Sequence, residues 1–375
     1  MSNRIADIEM LRGFAVLFVV IHHANGALFT WSSPAMSYFY SHFSGGVGVD
    51  LFFAISGFVI AKDLIPRLRE SKDGRAARAI TLAFWVRRAW RLWPSAWLWL
   101  GVILLASVWF NSTGAFGSFH TNLEATVAGV LQIANLRFAD SFMRYFYGAS
   151  FPYWSLSLEE QFYLLLPLVV LIARRYLVWV LLALVLVQFF QQRSLLMMMF
   201  RTDAIALGVL LALWSAHPSY RAFMPARLAR YGLGVVVLIS ILLFMAALGS
   251  EWAAGSTAFT YGIIAVFSAV LVWIASYDAD LLFPKGMIKS MMVWLGARSY
   301  AIYLTHIPAF FFVREFYHRL SASPLGPDES LFWPFLIVAG ALILLLSDLN
   351  YRFAEVPLRA RGVAMANKMI KKKAL

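Results

Sequence analysis

Residues 48–65 read Gly48-Val49-Asp50-Leu51-Phe52-Phe53-Ala54-Ile55-Ser56-Gly57-Phe58-Val59-Ile60-Ala61-Lys62-Asp63-Leu64-Ile65. This apolar run ends in charge. Nine basic residues (Lys62, Arg67, Arg69, Lys72, Arg75, Arg78, Arg87, Arg88 and Arg91) fill the stretch to Arg91, and a second apolar run follows at 92–110. Each run matches the ~20 residues that a helix needs to cross a hydrocarbon core about 30 Å thick. The same pattern recurs along the chain, at 8–30, 125–138, 156–173, 176–191, 198–216, 231–249, 257–276, 293–316 and 331–351, which makes eleven apolar blocks. Of the 375 residues, 61% are hydrophobic and 14% charged, where a soluble chain has about half and about a quarter. A soluble enzyme, a disordered chain and a fibrous one are excluded. An outer-membrane barrel is disfavoured, because its strands alternate apolar and polar residues. The fold expected is all-α: a polytopic integral membrane helical bundle forming one domain over 1–375.

Charge sets the topology. The loop of nine cations belongs on the cytoplasmic side by the positive-inside rule, so two spans precede it and the N-terminus is inside. Seven more cations between Arg352 and Lys373 place the C-terminus inside too. Both ends inside require an even number of spans, so one block does not cross. The block 125–138 is short and holds Gln132 and Asn135. It reads as a re-entrant or interfacial helix on the outer side, leaving about ten transmembrane helices. The first block is not a cleavable signal peptide, since it carries Arg12, His22 and His23. The net charge of +13 follows from helix-end clusters, which argues against nucleic acid as a partner. Cysteine is absent, which excludes disulfides and a thiol nucleophile.

Ionisable groups inside a membrane are costly and usually do something. Arg12 and His23 are eleven residues apart, about 16 Å of helical rise and about 20° past three full turns, so they share a face, whereas His22 points about 80° away. Glu9, one turn before Arg12, is a pairing partner. Asp50 at the outer end of its span is read as orienting or charge-stabilising the histidine, with Gly45, Gly46 and Gly48 permitting close helix approach. Arg88 and Arg91 share a face one turn apart, beside Arg87, and arginine forks suit phosphate. The block Trp154-Ser155-Leu156-Ser157-Leu158-Glu159-Glu160-Gln161-Phe162-Tyr163 opens a span with two acids. Ser157 and Glu160 stand at capping-box spacing, which explains Glu160 better than Glu159. Arg201 and Asp203 are read as a pair, and Tyr300, Tyr303 and His306 lie at helical spacing in one span.

Taken in order, Arg12…His23, Gly48-Val49-Asp50-Leu51-Phe52-Phe53…Ser56-Gly57-Phe58, Arg87-Arg88…Arg91-Leu92…Pro94, the Trp154–Tyr163 block, Ser299-Tyr300…Tyr303-Leu304…His306…Pro308 and Phe353-Ala354-Glu355…Pro357 resemble the membrane acyltransferase-3 family over nearly the whole chain. The resemblance implies a ten-span protein of the bacterial inner membrane that moves an acetyl or other short acyl group from cytoplasmic acyl-CoA, chiefly acetyl-CoA, to a hydroxyl of an envelope or exported carbohydrate or glycolipid. It implies His23 as the essential histidine with Arg12 paired to it, Arg88 and Arg91 as the arginine motif, and Glu159 as the acid of its motif. Many relatives append an extracytoplasmic hydrolase-like domain, and this chain is read as lacking one. Thr305 stands where relatives often carry Trp.

On this reading His23, Glu159 and Asp50 are the catalytic group. Arg12, Arg87, Arg88 and Arg91 hold the donor, and Trp154, Ser157, Tyr163 and His306 face the acceptor. His23 acts as general base, the preferred form, or carries the acyl group itself; no metal is implied. The rival is a secondary transporter or flippase, against which stands the absence of an internal repeat. Reporter fusions test the topology. Those at Ser71, Leu228 and Lys372 are expected to report the cytoplasm and those at Ser41, Ser150 and Ser323 the outside. A cytoplasmic report from Ser150 would mean that 125–138 crosses and that the parity argument fails.

Overall fold

The computed structural model describes residues 5–142, 144–191, 197, 199–253, 259–320 and 327–374. Among these residues there is no strand, and the chain is all-helical. The principal helices are α1 (Ala6–Ala27), α2 (Pro34–His42), α3 (Gly48–Arg69), α4 (Gly74–Trp109), α5 (Phe119–Val130), α6 (Ala134–Ser141), α7 (Tyr153–Ala173), α8 (Leu177–Phe190), α9 (Asp203–Ser215), α10 (Gly234–Leu248), α11 (Thr260–Ala275), α12 (Met287–Ala297), α13 (Ser299–Leu320), α14 (Phe332–Asn350) and α15 (Val356–Ala374). Their starts follow local chemistry. Ser33, Asp73 and Ser118 accept the backbone N–H three residues on, capping α2, α4 and α5, and Pro34 opens α2 where its missing donor costs nothing.

Five helical stretches are long and apolar enough to cross a membrane: 6–27, 34–69, 74–109, 153–190 and 329–370, with a sixth if the bent pair 219–230 and 234–248 counts as one. The chain is a multi-pass membrane protein. The expected blocks are mostly helical where described, but several are shorter than predicted. Those at 198–216 and 257–276 begin outside the described residues and are helical from Asp203 and Thr260. The block 293–316 is not one helix. It breaks at Arg298, whose guanidinium lies 2.7 Å from Asp348 and over the rings of Trp294 and Tyr351. The count of ten therefore rests on charge parity alone.

The block 125–138 folds as a helical hairpin. α5 and α6 meet at Gln132, which takes a left-handed φ of 58°. With 12 and 8 residues, they rise about 18 and 12 Å, each too short to cross alone. Gln161 donates to the Gln132 carbonyl (2.8 Å) and to Asn135 (2.9 Å), while Phe138 stacks on Trp154. Residues 132–135 thus sit against Ser157 and Gln161, and residue 138 against residue 154 nearer the start of α7. The hairpin tip lies about two turns along α7 from its first residue.

The core is organised around α3, which is buried on nearly every side. Small residues let backbones touch, as is usual between membrane helices. A Cβ built on Gly57 would lie 2.1 Å from the Ile205 carbonyl oxygen, and one on Gly208 2.2 Å from that of Ala54, so α3 and α9 cross in direct contact. α1 meets α12 the same way through Gly13 and Gly296, and the turn before α3 meets α1 through Gly45 and Gly48. The close approach expected of Gly45, Gly46 and Gly48 is present at Gly45 and Gly48, whereas Gly46 meets only side chains, the nearest at 3.5 Å. A side chain at Gly57 has only backbone to displace. Gly57→Val is therefore expected to cost about 1–3 kcal/mol or more, in the manner of an overpacked core, seen as lower thermal stability in detergent, whereas Gly101→Val, with nothing within 4 Å, is expected to be tolerated.

Candidate active site

Five helices enclose a cavity of about 670 Å³ of empty volume, its open mouth included. α1 supplies Arg12, α3 Phe52 and Ser56, α4 Arg88 and Arg91, α7 Ser155, Glu159 and Tyr163, and α13 Tyr300 and Tyr303. Helical periodicity selects them. Arg88 and Arg91 are one turn apart and both face in. Arg87, about 100° round from Arg88, instead reaches Asp63 at 3.7 Å and does not line the cavity. On α7, Ser155, Glu159 and Tyr163 recur every fourth residue and form one stripe. Glu160 turns into a second, smaller cavity of about 310 Å³, where Trp93 donates to it at 3.3 Å, and Glu159 borders both.

The arginine end of the cavity is strongly cationic. Arg12 meets Glu9 at 3.5 Å, the expected pair. The Arg88 guanidinium lies over the rings of Tyr163 and Phe84, 5.4 and 5.7 Å from their centroids, and Tyr163 donates to Glu159. The Nε of Arg12 and the Nε of Arg91 are buried and have no hydrogen-bond partner among the described residues. Burying such a donor unanswered costs free energy, so this wall is chemically suited to an anion.

At its other end the cavity stops at Tyr303 and Ser155, whose hydroxyls are 2.6 Å apart; Tyr303 also donates to the Pro152 carbonyl at 3.1 Å. One turn beyond Tyr303, His306 is fully buried, and its Nε2 lies 2.8 Å from Nδ1 of His23. The two imidazoles lie edge to edge and nearly coplanar, with an interplanar angle of 12°, and Phe151 meets His23 edge-on at 5.0 Å. His22 goes elsewhere. Its side chain packs against Gly45 and Gly46 of the turn before α3. Helical arithmetic on α1 therefore separates the two histidines as expected, with His23 about 16 Å along the helix from Arg12.

The structure places other expected site residues differently. Asp50 forms an ion pair with Arg201 at 3.5 Å, both almost fully buried, so it holds the start of α9, while the hydrogen bond of His23 goes to His306. The ion pair of Arg201 thus runs to Asp50 on α3. Trp154 lies beneath the Arg201 guanidinium (5.3 Å) and against Phe138, off the cavity wall. Ser157 accepts from the Ala134 backbone N–H at 3.2 Å, tying the hairpin to α7. It does not cap that helix, because α7 already begins at Tyr153. Five of these wall residues, Phe52, Ser56, Ser155, Tyr300 and Tyr303, carried no assigned role, and the four-residue spacing from Ser155 to Tyr163 was the signal for Ser155.

A family profile described as an acyltransferase domain matches residues 5–352. The peptidoglycan O-acetyltransferase OatA of Listeria monocytogenes serovar 1/2a (strain ATCC BAA-679 / EGD-e) is 26% identical over 96% of this chain and 56% of its own length. The O-acetyltransferase OatA of Staphylococcus aureus (strain NCTC 8325 / PS 47) is 26% identical over 95% and 57%. The chain thus spans a little over half the length of the curated relatives it matches. No solved structure matches. With a profile match from residue 5 to residue 352, the chain belongs to the acyltransferase-3 family.

Proposed function

We propose that this chain is a membrane-embedded O-acyltransferase of the bacterial inner membrane, moving an acetyl or other short acyl group from cytoplasmic acyl-CoA to a hydroxyl of an envelope or exported carbohydrate. The observation that carries the proposal is one line of groups. Buried arginines with unanswered Nε donors stand at one end of a cavity, and a hydrogen-bonded histidine pair stands just past its other end. Arg12, Arg88 and Arg91 bind the phosphates of the donor, for which guanidinium forks are suited. The cavity takes the pantetheine arm, which carries the thioester toward His23. His23 removes the proton of the acceptor hydroxyl as its oxygen bonds the acyl carbon. The carbon–sulfur bond breaks, and the proton passes to the leaving thiolate. Glu159, held by Tyr163, balances the arginine charge at the cavity wall. Relatives named O-acetyltransferase support this reaction class.

His23→Ala is expected to abolish acyl transfer at normal membrane abundance, while His22→Ala retains most of it. The measurement is the mass of envelope glycans, one acetyl unit apart with and without active protein. Equal loss in both variants would reject the assignment of the base.

Arg88→Ala or Arg91→Ala is expected to weaken acetyl-CoA binding by detergent-purified protein roughly ten- to a hundredfold, given about 1.5–3 kcal/mol for a hydrogen bond to a charged group. Arg88→Lys should recover part of the loss. Lys72, exposed in the loop before α4, is the control. If Lys72→Ala weakens binding as much as Arg88→Ala, the arginines contribute only diffuse charge.

A further inference from the structure

We infer that His306 is a positioning residue that fixes the proton arrangement of His23, an inference that rests on the proposed role of His23 as base. The argument is a chain of donors and acceptors with one fixed end. Nδ1 of His306 lies 3.3 Å from the carbonyl oxygen of Ile302, one turn back on α13. A carbonyl oxygen only accepts, so Nδ1 of His306 carries the proton. In a neutral imidazole the other nitrogen is then an acceptor. Nε2 of His306 is that nitrogen, and it faces Nδ1 of His23 at 2.8 Å. His23 therefore donates from Nδ1, and its Nε2 is left with a bare lone pair.

The burial of the two rings agrees with this direction. His306 is fully enclosed, while His23 retains some exposure. Nε2 stands across the ring from Nδ1, so it points away from His306. The free lone pair is thus presented on the side of His23 that the pair leaves open, where an acceptor hydroxyl must approach a base. The in-plane hydrogen bond to His306 and the perpendicular ring of Phe151 hold the ring plane. When His23 takes a proton at Nε2, the positive charge is shared onto Nδ1–H, and the His306 lone pair is already aimed at it. This is the role that a carboxylate has behind the histidine of a Ser-His-Asp triad, performed here by a neutral imidazole anchored to a helix carbonyl. A neutral partner needs no counter-charge, which suits a fully enclosed position.

Two measurements test it. In the full-length protein labelled with nitrogen-15 histidine in lipid bilayers, with signals assigned by single substitution, Nδ1 of His23 is expected to be protonated and Nε2 bare. A protonated Nε2 on neutral His23 overturns the inference, whatever the activity. In the transfer assay, His306→Ala is expected to lower kcat by on the order of 10²-fold or more with little change in KM for acetyl-CoA. His306→Gln is expected to restore part of the rate, because its side-chain oxygen can accept where Nε2 did. Full activity in His306→Ala alongside loss in His23→Ala overturns the inference and leaves the proposed function standing. Full activity in His23→Ala removes the proposed function, and the nitrogen-15 result still decides the tautomer.

Discussion

A charged side chain surrounded by hydrocarbon has to be answered by another group, because water is not there to answer it. Most of the buried charge in this protein is answered internally. Asp50 meets Arg201, and Arg298 meets Asp348. Lys289 bonds both Asp7 and Asp280, joining the start of α1 to the turn before α12. Glu315 accepts the backbone N–H groups of Ser112 and Thr113 and so closes the loop after α4. Each pair fixes one helix against another, so the same groups that threaten the fold specify its arrangement. The cavity wall is a partial departure. There the Nε of Arg12 and the Nε of Arg91 are buried without a hydrogen-bond partner among the described residues, as are Nη2 of Arg87 and Oε1 of Glu160 nearby, and the arginines face a space large enough to admit part of a ligand.

The second constraint is contact between backbones. Lipid tails are as apolar as leucine, so helices in a membrane gain little by burying leucine against leucine and associate by close packing. Gly57 and Gly208 bring α3 against α9, while Gly13 and Gly296 bring α1 against α12. These crossings hold α1 against its neighbours and so fix the line from Arg12 to His23. α13, which starts one residue after α12, runs beside α1 closely enough for His306 to reach His23 and for Arg314 to reach the Ala27 carbonyl. The hydroxyl pair of Tyr303 and Ser155 then stands between cavity and imidazoles.

The chain's own periodicities were enough for a surprising share of the site. Arg12 with His23 and Arg88 with Arg91 follow from about 100° per residue, whereas the capping box read at Ser157 and Glu160 does not form, and Glu160 differs from Glu159 by turning into the second cavity. Arg87 shows the limit of grouping by proximity in sequence. It adjoins Arg88, yet it serves Asp63 on the neighbouring helix end. Ser157 and Trp154 show the limit of grouping by motif, since the one ties the α5–α6 hairpin to α7 and the other supports Arg201.

By itself the sequence determined the membrane class, the helical fold and which side chains share a face, because hydropathy and helix geometry are local properties that no neighbour needs to supply. It marked 125–138 as unlike the other blocks, because buried amides in a short apolar run require partners. Tertiary structure alone decided that His306 stands behind His23, that Asp50 answers Arg201, and that the block 293–316 breaks at Arg298. Those outcomes join residues up to 283 positions apart. They depend on which helix lies against which, a choice made by many weak packing contacts and close crossings together, and no single segment of the chain carries it.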